Sequence, residues 1–169
     1  RVVQSTGTYA GGSYAIYATS LADDLEIVDS QIDDNLGGLY IASTVNALIA
    51  RSTISGNSVT GAAVGGGLYN AGTVKIVNTT ISGNLSETDG GGLYNAGTAS
   101  LFNVTLANNM ADSDANATGS GGGLRQAGTL TLRNTLIADN SLGASPSGAD
   151  CSGTLTTAAL PSSGCSSRK

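Results

Sequence analysis

Tyrosine side chains recur at one position of a repeated stretch, and they are the residues best suited to contact a ligand. Tyr40, Tyr69 and Tyr94 each follow the leucine of a Gly-Leu run, with Tyr17 expected below them and Arg125 above them in the same column. Stacked tyrosines can bind sugar rings through their faces and hydroxyls. They can equally form a purely structural ladder. The sequence leaves a binding ladder and a structural ladder as alternative interpretations.

Carboxylates concentrate in one segment near the start of the chain, where Leu25, Ile27 and Ile32 alternate with acidic residues. That alternation places the carboxylates on an outer face. Clustered carboxylate and carbonyl oxygens are the ligands of calcium sites. The expectation is a solvated acidic face, and a Ca²⁺ site is the alternative. The candidate ligands are Asp23, Asp24, Asp33 and Asp34.

The residues needed for most hydrolytic chemistry are missing or scattered. The chain has no histidine, so a Ser-His-Asp or Cys-His arrangement is impossible. Glycoside hydrolysis needs facing carboxylates, whereas the middle of the chain places Asn, Thr, Gly and Ser at its outer positions. We therefore expect a non-catalytic protein without a required cofactor. A polysaccharide lyase or hydrolase is the alternative.

Composition narrows the range of partners. The formal net charge is −5, and lysine and arginine form no cluster, which argues against nucleic acid as a partner. No apolar run approaches the roughly 20 residues of a membrane-spanning helix. The chain begins at Arg1 without a methionine or a signal sequence, so we expect a processed form or a piece of a longer protein.

The whole chain is organised by a repeat of about 25 residues. The motif GGGLYNAGTVKIVNTTISGN at 65–84 returns at 90–109 and 121–140, and looser copies lie near 11–35 and 37–57. Apolar residues recur in aligned columns, and Val74-Lys75-Ile76 alternates with the period of a strand. One copy matches one coil of a β-solenoid. The sequence thus predicts an all-β, right-handed parallel β-helix of about five coils over 1–145, its handedness following the crossover rule.

An asparagine ends every copy of the repeat. Asparagine tolerates left-handed backbone, and its amide can donate and accept hydrogen bonds along a stack. A structural turn ladder is therefore predicted from Asn35, Asn57, Asn84, Asn109 and Asn140.

Two segments fall outside the repeat. The polar stretch 110–120 is expected to project as a loop in which Asp112 and Asp114 are solvated. The segment 146–169 is expected to be an irregular tail closed by Cys151 and Cys165. Two cysteines without histidine are too few for a zinc site, which favours a disulfide and an oxidising, extracellular setting.

The GGGLYN…TISGN repeat resembles the coils of bacterial surface β-helix proteins of the polymorphic outer-membrane-protein type and related secreted proteins. The stretch GADCSGTLTTAALPSSGC resembles the segment that follows the last coil in such proteins. The resemblance implies a parallel β-helix at the bacterial cell surface or outside the cell, with a structural or adhesive role. Two partners are expected: other copies of the chain, stacked end to end into a filament or sheath, or a surface glycan or protein.

Overall fold

The computed structural model describes residues 2–3, 14–19, 24–144 and 149–154, and in this part of the chain every regular element is a β-strand. The strands are β1 (Val2–Val3), β2 (Ile16–Ala18), β3 (Leu25–Val28), β4 (Gln31–Asp33), β5 (Leu39–Ile41), β6 (Asn46–Ala50), β7 (Thr53–Ser55), β8 (Ser58–Val59), β9 (Leu68–Asn70), β10 (Thr73–Ser82), β11 (Leu85–Ser86), β12 (Leu93–Asn95), β13 (Thr98–Ala107), β14 (Met110–Ala111), β15 (Leu124–Gln126), β16 (Thr129–Arg133), β17 (Leu136–Ala138), β18 (Ser141–Leu142) and β19 (Cys151–Ser152).

These strands form three parallel sheets that together make a β-solenoid of about five coils, as the repeat predicted. Sheet 1 has the order β19-β15-β12-β9-β5-β2, and sheet 3 has the order β18-β14-β11-β8. Sheet 2 contains the remaining nine strands. Each coil runs from sheet 1 through sheet 2, and from β8 onward each also crosses sheet 3. Strands of successive coils lie about 4.8 Å apart, as in any sheet.

The aligned apolar columns are the core, and their registers are those that the repeat predicted. Leu68 pairs with Leu93 and Leu93 with Leu124 in sheet 1. In sheet 2, Ile76 pairs with Leu101. The described side chains that are fully buried include Ile32, Leu39, Ile49, Ile54, Leu68, Ile76, Ile81, Leu93, Leu101, Leu106 and Leu124. Because each leucine or isoleucine packs on the residue above and below it, the coils share one continuous core.

Two features of the coils were not predicted from the sequence. The stretches between successive copies of the repeat begin with the short strands β8, β11 and β14, which build sheet 3 with β18. In the tail, β19 pairs with β15 and adds a strand above the fifth coil, where an irregular segment was expected. The strands β8, β11, β14 and β19 each have only two residues, which is too short for strand periodicity to be recognised.

Glycine is required where one turn passes closely over the next. At Gly91, a Cβ atom would lie 2.3 Å from the carbonyl oxygen of Met110, and the preceding Gly90 has a φ of +67°. Any side chain at Gly91 would force adjacent coils apart, so the triple-glycine run of the repeat sets their close approach.

A column of hydroxyls lines the corner between the two halves of sheet 2. The Oγ atoms of Ser52 and Thr79 each donate to a carbonyl two residues back, at 2.8 and 2.9 Å. Each oxygen also accepts a backbone N–H from the coil before it, at 3.1 Å and 3.4 Å respectively. Thr135 repeats the short-range bond two coils later. Val104 occupies the intervening coil and interrupts this corner hydroxyl column.

Candidate functional site

The tyrosines predicted from the repeat form a ladder on the outer face of sheet 1. Tyr17, Tyr40, Tyr69 and Tyr94 are the middle residues of β2, β5, β9 and β12, and they pair in register. Because the apolar residues that precede them in each strand point inward, the tyrosines point outward. Consecutive ring centroids along the ladder are 4.2, 4.9 and 5.5 Å apart.

The rings of the ladder stack mainly on one another. The planes of Tyr17 and Tyr40 are only 18° apart, and those of Tyr40 and Tyr69 are 30° apart. Most of their ring faces are therefore covered, and the ladder presents ring edges and hydroxyls to its surroundings. Burial, followed by neighbouring tyrosines, raises the pKa of Tyr40 and of Tyr69 above the ordinary value. The phenols of Tyr40 and Tyr69 therefore stay neutral and can both donate and accept hydrogen bonds.

A fifth tyrosine, which the column did not predict, supports the ladder from the side. The ring of Tyr14 lies 5.5 Å from that of Tyr40, and its hydroxyl donates to the carbonyl oxygen of Val64 at 2.5 Å. Burial raises the pKa of Tyr14 well above its ordinary value. Tyr14 lies three residues before Tyr17, outside the repeated column, so the repeat contained no signal for it.

Arg125 continues the tyrosine column in the fifth coil, where it pairs in register with Tyr94. Its Nε lies 3.7 Å from Oδ2 of Asp89, and its Nη1 donates to the Ser152 hydroxyl at 3.5 Å. The hydroxyl of Ser120 donates to the other oxygen of Asp89 at 2.6 Å. The ladder thus ends in a cation and an anion side by side, and the sequence had pointed only to the arginine.

The acidic candidates for a calcium site are spread over the first coil. Asp24 and Asp34 are exposed, Asp33 is half-buried, and Asp23 lies outside the described residues. One oxygen of Asp33 accepts from the Gln31 side chain at 2.9 Å. Across the described ranges, no group of three carboxylates, cysteines or histidines has the proximity needed to hold a metal ion.

One acidic residue of that coil is engaged by a cation from the next coil. Arg51 donates from Nε and Nη2 to the two carboxylate oxygens of Asp29, at 2.7 and 2.8 Å. This bidentate pairing holds the pKa of Asp29 below its ordinary value. Both residues have positive φ angles, as do Asn78, Asn103 and Asn134 at the same corner of later coils.

The five asparagines at the ends of the repeats lie inside the solenoid as one ladder. The Nδ2 of Asn57 donates to Oδ1 of Asn84, and Asn84 donates in the same way to Asn109, both at 2.9 Å. Asn35 and Asn109 extend the series in both directions. From Asn57 onward, each side-chain oxygen also accepts the backbone N–H of the asparagine below it. The N–H of Asn57, for example, donates to Oδ1 of Asn84 at 3.0 Å.

The backbone of this asparagine ladder differs from the expectation in one respect. The left-handed residues are those immediately before the asparagines, including Asp34, Asn108 and Asp139. At the last coil, Asp150 takes the place of a further asparagine, and its Oδ1 accepts the N–H and Nδ2 of Asn140, both at 3.0 Å. A carboxylate accepts without donating, so Asp150 ends the series.

A second buried amide ladder, which the sequence reasoning missed, runs beneath the tyrosines. Asn70 donates to Asn95 at 2.8 Å, and Asn95 donates to the Gln126 side chain at 2.9 Å. These residues directly follow Tyr69, Tyr94 and Arg125 in the chain. Their column was visible in the repeat and could have been identified as a second ladder. By fixing the backbone on the inner side, it holds the outward Tyr69, Tyr94 and Arg125 in position.

The remaining predictions concern the two carboxylates of the 110–120 loop and the disulfide between Cys151 and Cys165. Asp112 is not solvated as predicted, because its side chain is buried and accepts the backbone N–H groups of Ala117 and Ala144 at 2.9 and 2.8 Å. Asp114 is exposed. Cys151 lies in β19 above Leu124, but Cys165 lies outside the described residues, so the disulfide stays a prediction.

Comparison with known proteins agrees with this architecture. The family model of the right-handed β-helix region matches residues 14–157. No curated protein and no solved structure matches the chain. Within the described residues, no helix has the length and apolar character to cross a membrane.

Proposed function

Because the chain belongs to the right-handed β-helix family, we propose that it is a non-catalytic, extracellular adhesion protein that binds a surface glycan through its tyrosine ladder. The supporting observation is the ladder itself, with rings 4.2 to 5.5 Å apart on one outer face. Tyrosine offers a large amphipathic contact area and loses little side-chain entropy on binding. A ladder that is already ordered lowers that entropic cost further.

The polar groups favour a hydroxyl-rich ligand. The ladder presents a row of phenol hydroxyls, and it ends at Arg125, with Asp89 3.7 Å away. Sugar hydroxyls both donate and accept hydrogen bonds, and this strip supplies phenols, a guanidinium and a carboxylate as partners. The ladder spans four coils, so an extended chain lying along the solenoid axis would contact it best.

The experiment is binding to a glycan array, followed by titration of each bound glycan. Replacing both Tyr40 and Tyr69 with alanine is expected to weaken binding at least about tenfold, the effect of losing roughly 1.4 kcal/mol of contact energy. Phe102→Ala is the matched control, because Phe102 is a half-buried aromatic residue on sheet 2. Equal affinity in the double variant and the wild type would contradict the tyrosine-ladder site.

The same assay tests the non-catalytic role. A bound polysaccharide should keep its length on prolonged incubation, and chelation with EDTA should leave binding unchanged because we propose that no metal cofactor is needed. Release of shortened or unsaturated products would instead favour the lyase or hydrolase class.

Self-assembly into a filament is a second candidate, favoured by the C-terminal end of sheet 2. Within the described residues, β16 and β17 pair with β13 on one side only, and Leu136 in β17 is 57% exposed. Open strand edges can pair with another chain. Negative-stain microscopy over a concentration series should then show uniform fibres that Leu136→Glu shortens or abolishes. Discrete monomers at every concentration would contradict assembly by this chain alone.

A further inference from the structure

The stacked tyrosines of the first two coils bring two oxidisable rings together. Tyr17 and Tyr40 are the closest pair of the ladder, with centroids 4.2 Å apart and planes 18° apart. Tyr17 is 45% exposed, so a small oxidant or the radical product of a peroxidase can reach its ring. By contrast, Tyr69 and Tyr94 are 5.5 Å apart and tilted by 40°.

We propose that Tyr17 and Tyr40 form an oxidative cross-linking site, at which hydrogen peroxide and a haem peroxidase join the two rings as dityrosine. Each phenol loses one electron and one proton to give a tyrosyl radical. The two radicals couple through ring carbons ortho to the hydroxyls, and the hydrogens on those carbons then move to the oxygens. In total, two tyrosines and one hydrogen peroxide give one dityrosine and two waters.

The stacked geometry suits this reaction because the first carbon–carbon bond forms between ring faces. The two side chains are held in register on neighbouring strands, since Tyr17 pairs with Tyr40 in the parallel ladder. Two radicals generated there meet without diffusion, and this proximity favours coupling within one molecule over coupling between molecules. The product is a covalent link between the first and second coils.

The other tyrosines are less suited to be the main site. The centroids of Tyr14 and Tyr17 are 6.3 Å apart with planes 39° apart, and the Tyr14 hydroxyl is bonded to Val64. Tyr40 and Tyr69 stack at 4.9 Å, which makes them the second-best pair. Tyr9 lies outside the described residues.

The test is oxidation of the folded, dilute protein with horseradish peroxidase and limiting hydrogen peroxide. Dityrosine is read by its fluorescence, and its position by mass spectrometry after digestion. Trypsin leaves Tyr17 and Tyr40 in one peptide, residues 2–51, and separates both from Tyr69. A second digestion with a glutamate-specific protease cleaves after Glu26, between Tyr17 and Tyr40. We expect monomeric protein in which the two halves of 2–51 remain joined.

Phenylalanine variants provide matched comparisons, because they keep the ring stack and remove only the phenolic hydroxyl. Tyr17→Phe should lower the dityrosine yield by more than half, and Tyr94→Phe should leave it nearly unchanged. Equal losses in the two variants would overturn the assignment. So would cross-linked dimers as the main product, or a linked pair other than Tyr17 and Tyr40. An absence of dityrosine under conditions that couple a free tyrosine peptide would overturn it as well.

Discussion

The asparagine ladder gives the sharpest test of what holds the coils together. In the substitution Asn84→Asp, size and shape are kept but the Nδ2 donor is lost. That nitrogen now donates to the carbonyl oxygen of Ile54 at 3.0 Å and to Oδ1 of Asn109 at 2.9 Å. The new carboxylate would place an oxygen against two acceptors inside a core where Asn84 is fully buried.

The size of the effect follows from the bonds that are lost. Two buried acceptors lose a donor, and each lost partner costs roughly 1–3 kcal/mol, so the free energy of unfolding should fall by about 2–6 kcal/mol near neutral pH. Burial also raises the pKa of the new carboxyl above its unfolded value of about 3.9. The folded variant then binds more protons than the unfolded chain above that pH, so stability falls as pH rises through this window.

The measurement is denaturant unfolding at about pH 4 and about pH 7, monitored by circular dichroism. The control is Asn103→Asp, which changes the same group in an exposed ladder where Asn103 donates to Asn78 at 3.0 Å. The free energy of unfolding of this control should fall by less than about 1 kcal/mol, because water replaces the missing hydrogen-bond partner. We expect the difference between the two variants to shrink at the lower pH. Equal unfolding midpoints for both variants at both pH values would refute a role for buried amide donors in coil stacking.

Two further substitutions test single sites. Val104→Thr completes the corner hydroxyl column and should be neutral or stabilising by up to about 1 kcal/mol. Its control, Val74→Thr, buries the same hydroxyl in the apolar core and should lower the free energy of unfolding by roughly 1–3 kcal/mol. Unfolding midpoints compare the two variants, and equal destabilisation would contradict a role for the hydroxyl column. Asp112→Asn replaces one carboxylate oxygen with an NH2 group that faces a backbone N–H donor, so it should speed hydrogen exchange and proteolysis across 112–120. The control, Asp114→Asn, changes an exposed residue and should leave both rates unchanged. Unchanged exchange in the Asp112 variant would contradict the anchoring role of Asp112.

The buried core could be predicted from the sequence because the stacking of equivalent residues in successive coils produces both the core and the repeat. A residue such as Ile76 must pack on the equivalent residue of the next coil, so burial appears directly as a column in the alignment of repeats. The same reasoning located Asn84 and its equivalents. Positions whose partners are also repeated can therefore be identified from one chain alone.

The remaining features depend on partners that do not repeat. Asp112 is buried because Ala144, 32 residues away, brings a backbone N–H to its carboxylate, and nothing in the polar stretch 110–120 distinguishes it from a solvated aspartate. Asp150 caps the asparagine ladder although its neighbours no longer match the motif. Tyr14 packs against the ladder from a position three residues before Tyr17, which is a glycine in the next three coils. In each case the determining contact is made in one coil only, so it leaves no periodic pattern in the sequence.

The division between inner and outer columns explains where function can reside in such a chain. The inner columns are constrained by packing and by the asparagine ladder at every coil, and by the second amide ladder in the last three coils. They therefore specify register and leave little freedom for ligand recognition. The outer columns are constrained only by neighbouring side chains, and the tyrosine column alone carries large amphipathic groups over four successive coils. Four coils with three spacings of about 4.8 Å give a strip roughly 14 Å long. A ligand that uses the whole strip must be extended along the axis. Stepwise shortening of a bound glycan should therefore leave its affinity unchanged until the glycan is shorter than the strip, and each further unit removed should then weaken binding. A compact ligand should gain nothing from the outermost tyrosines.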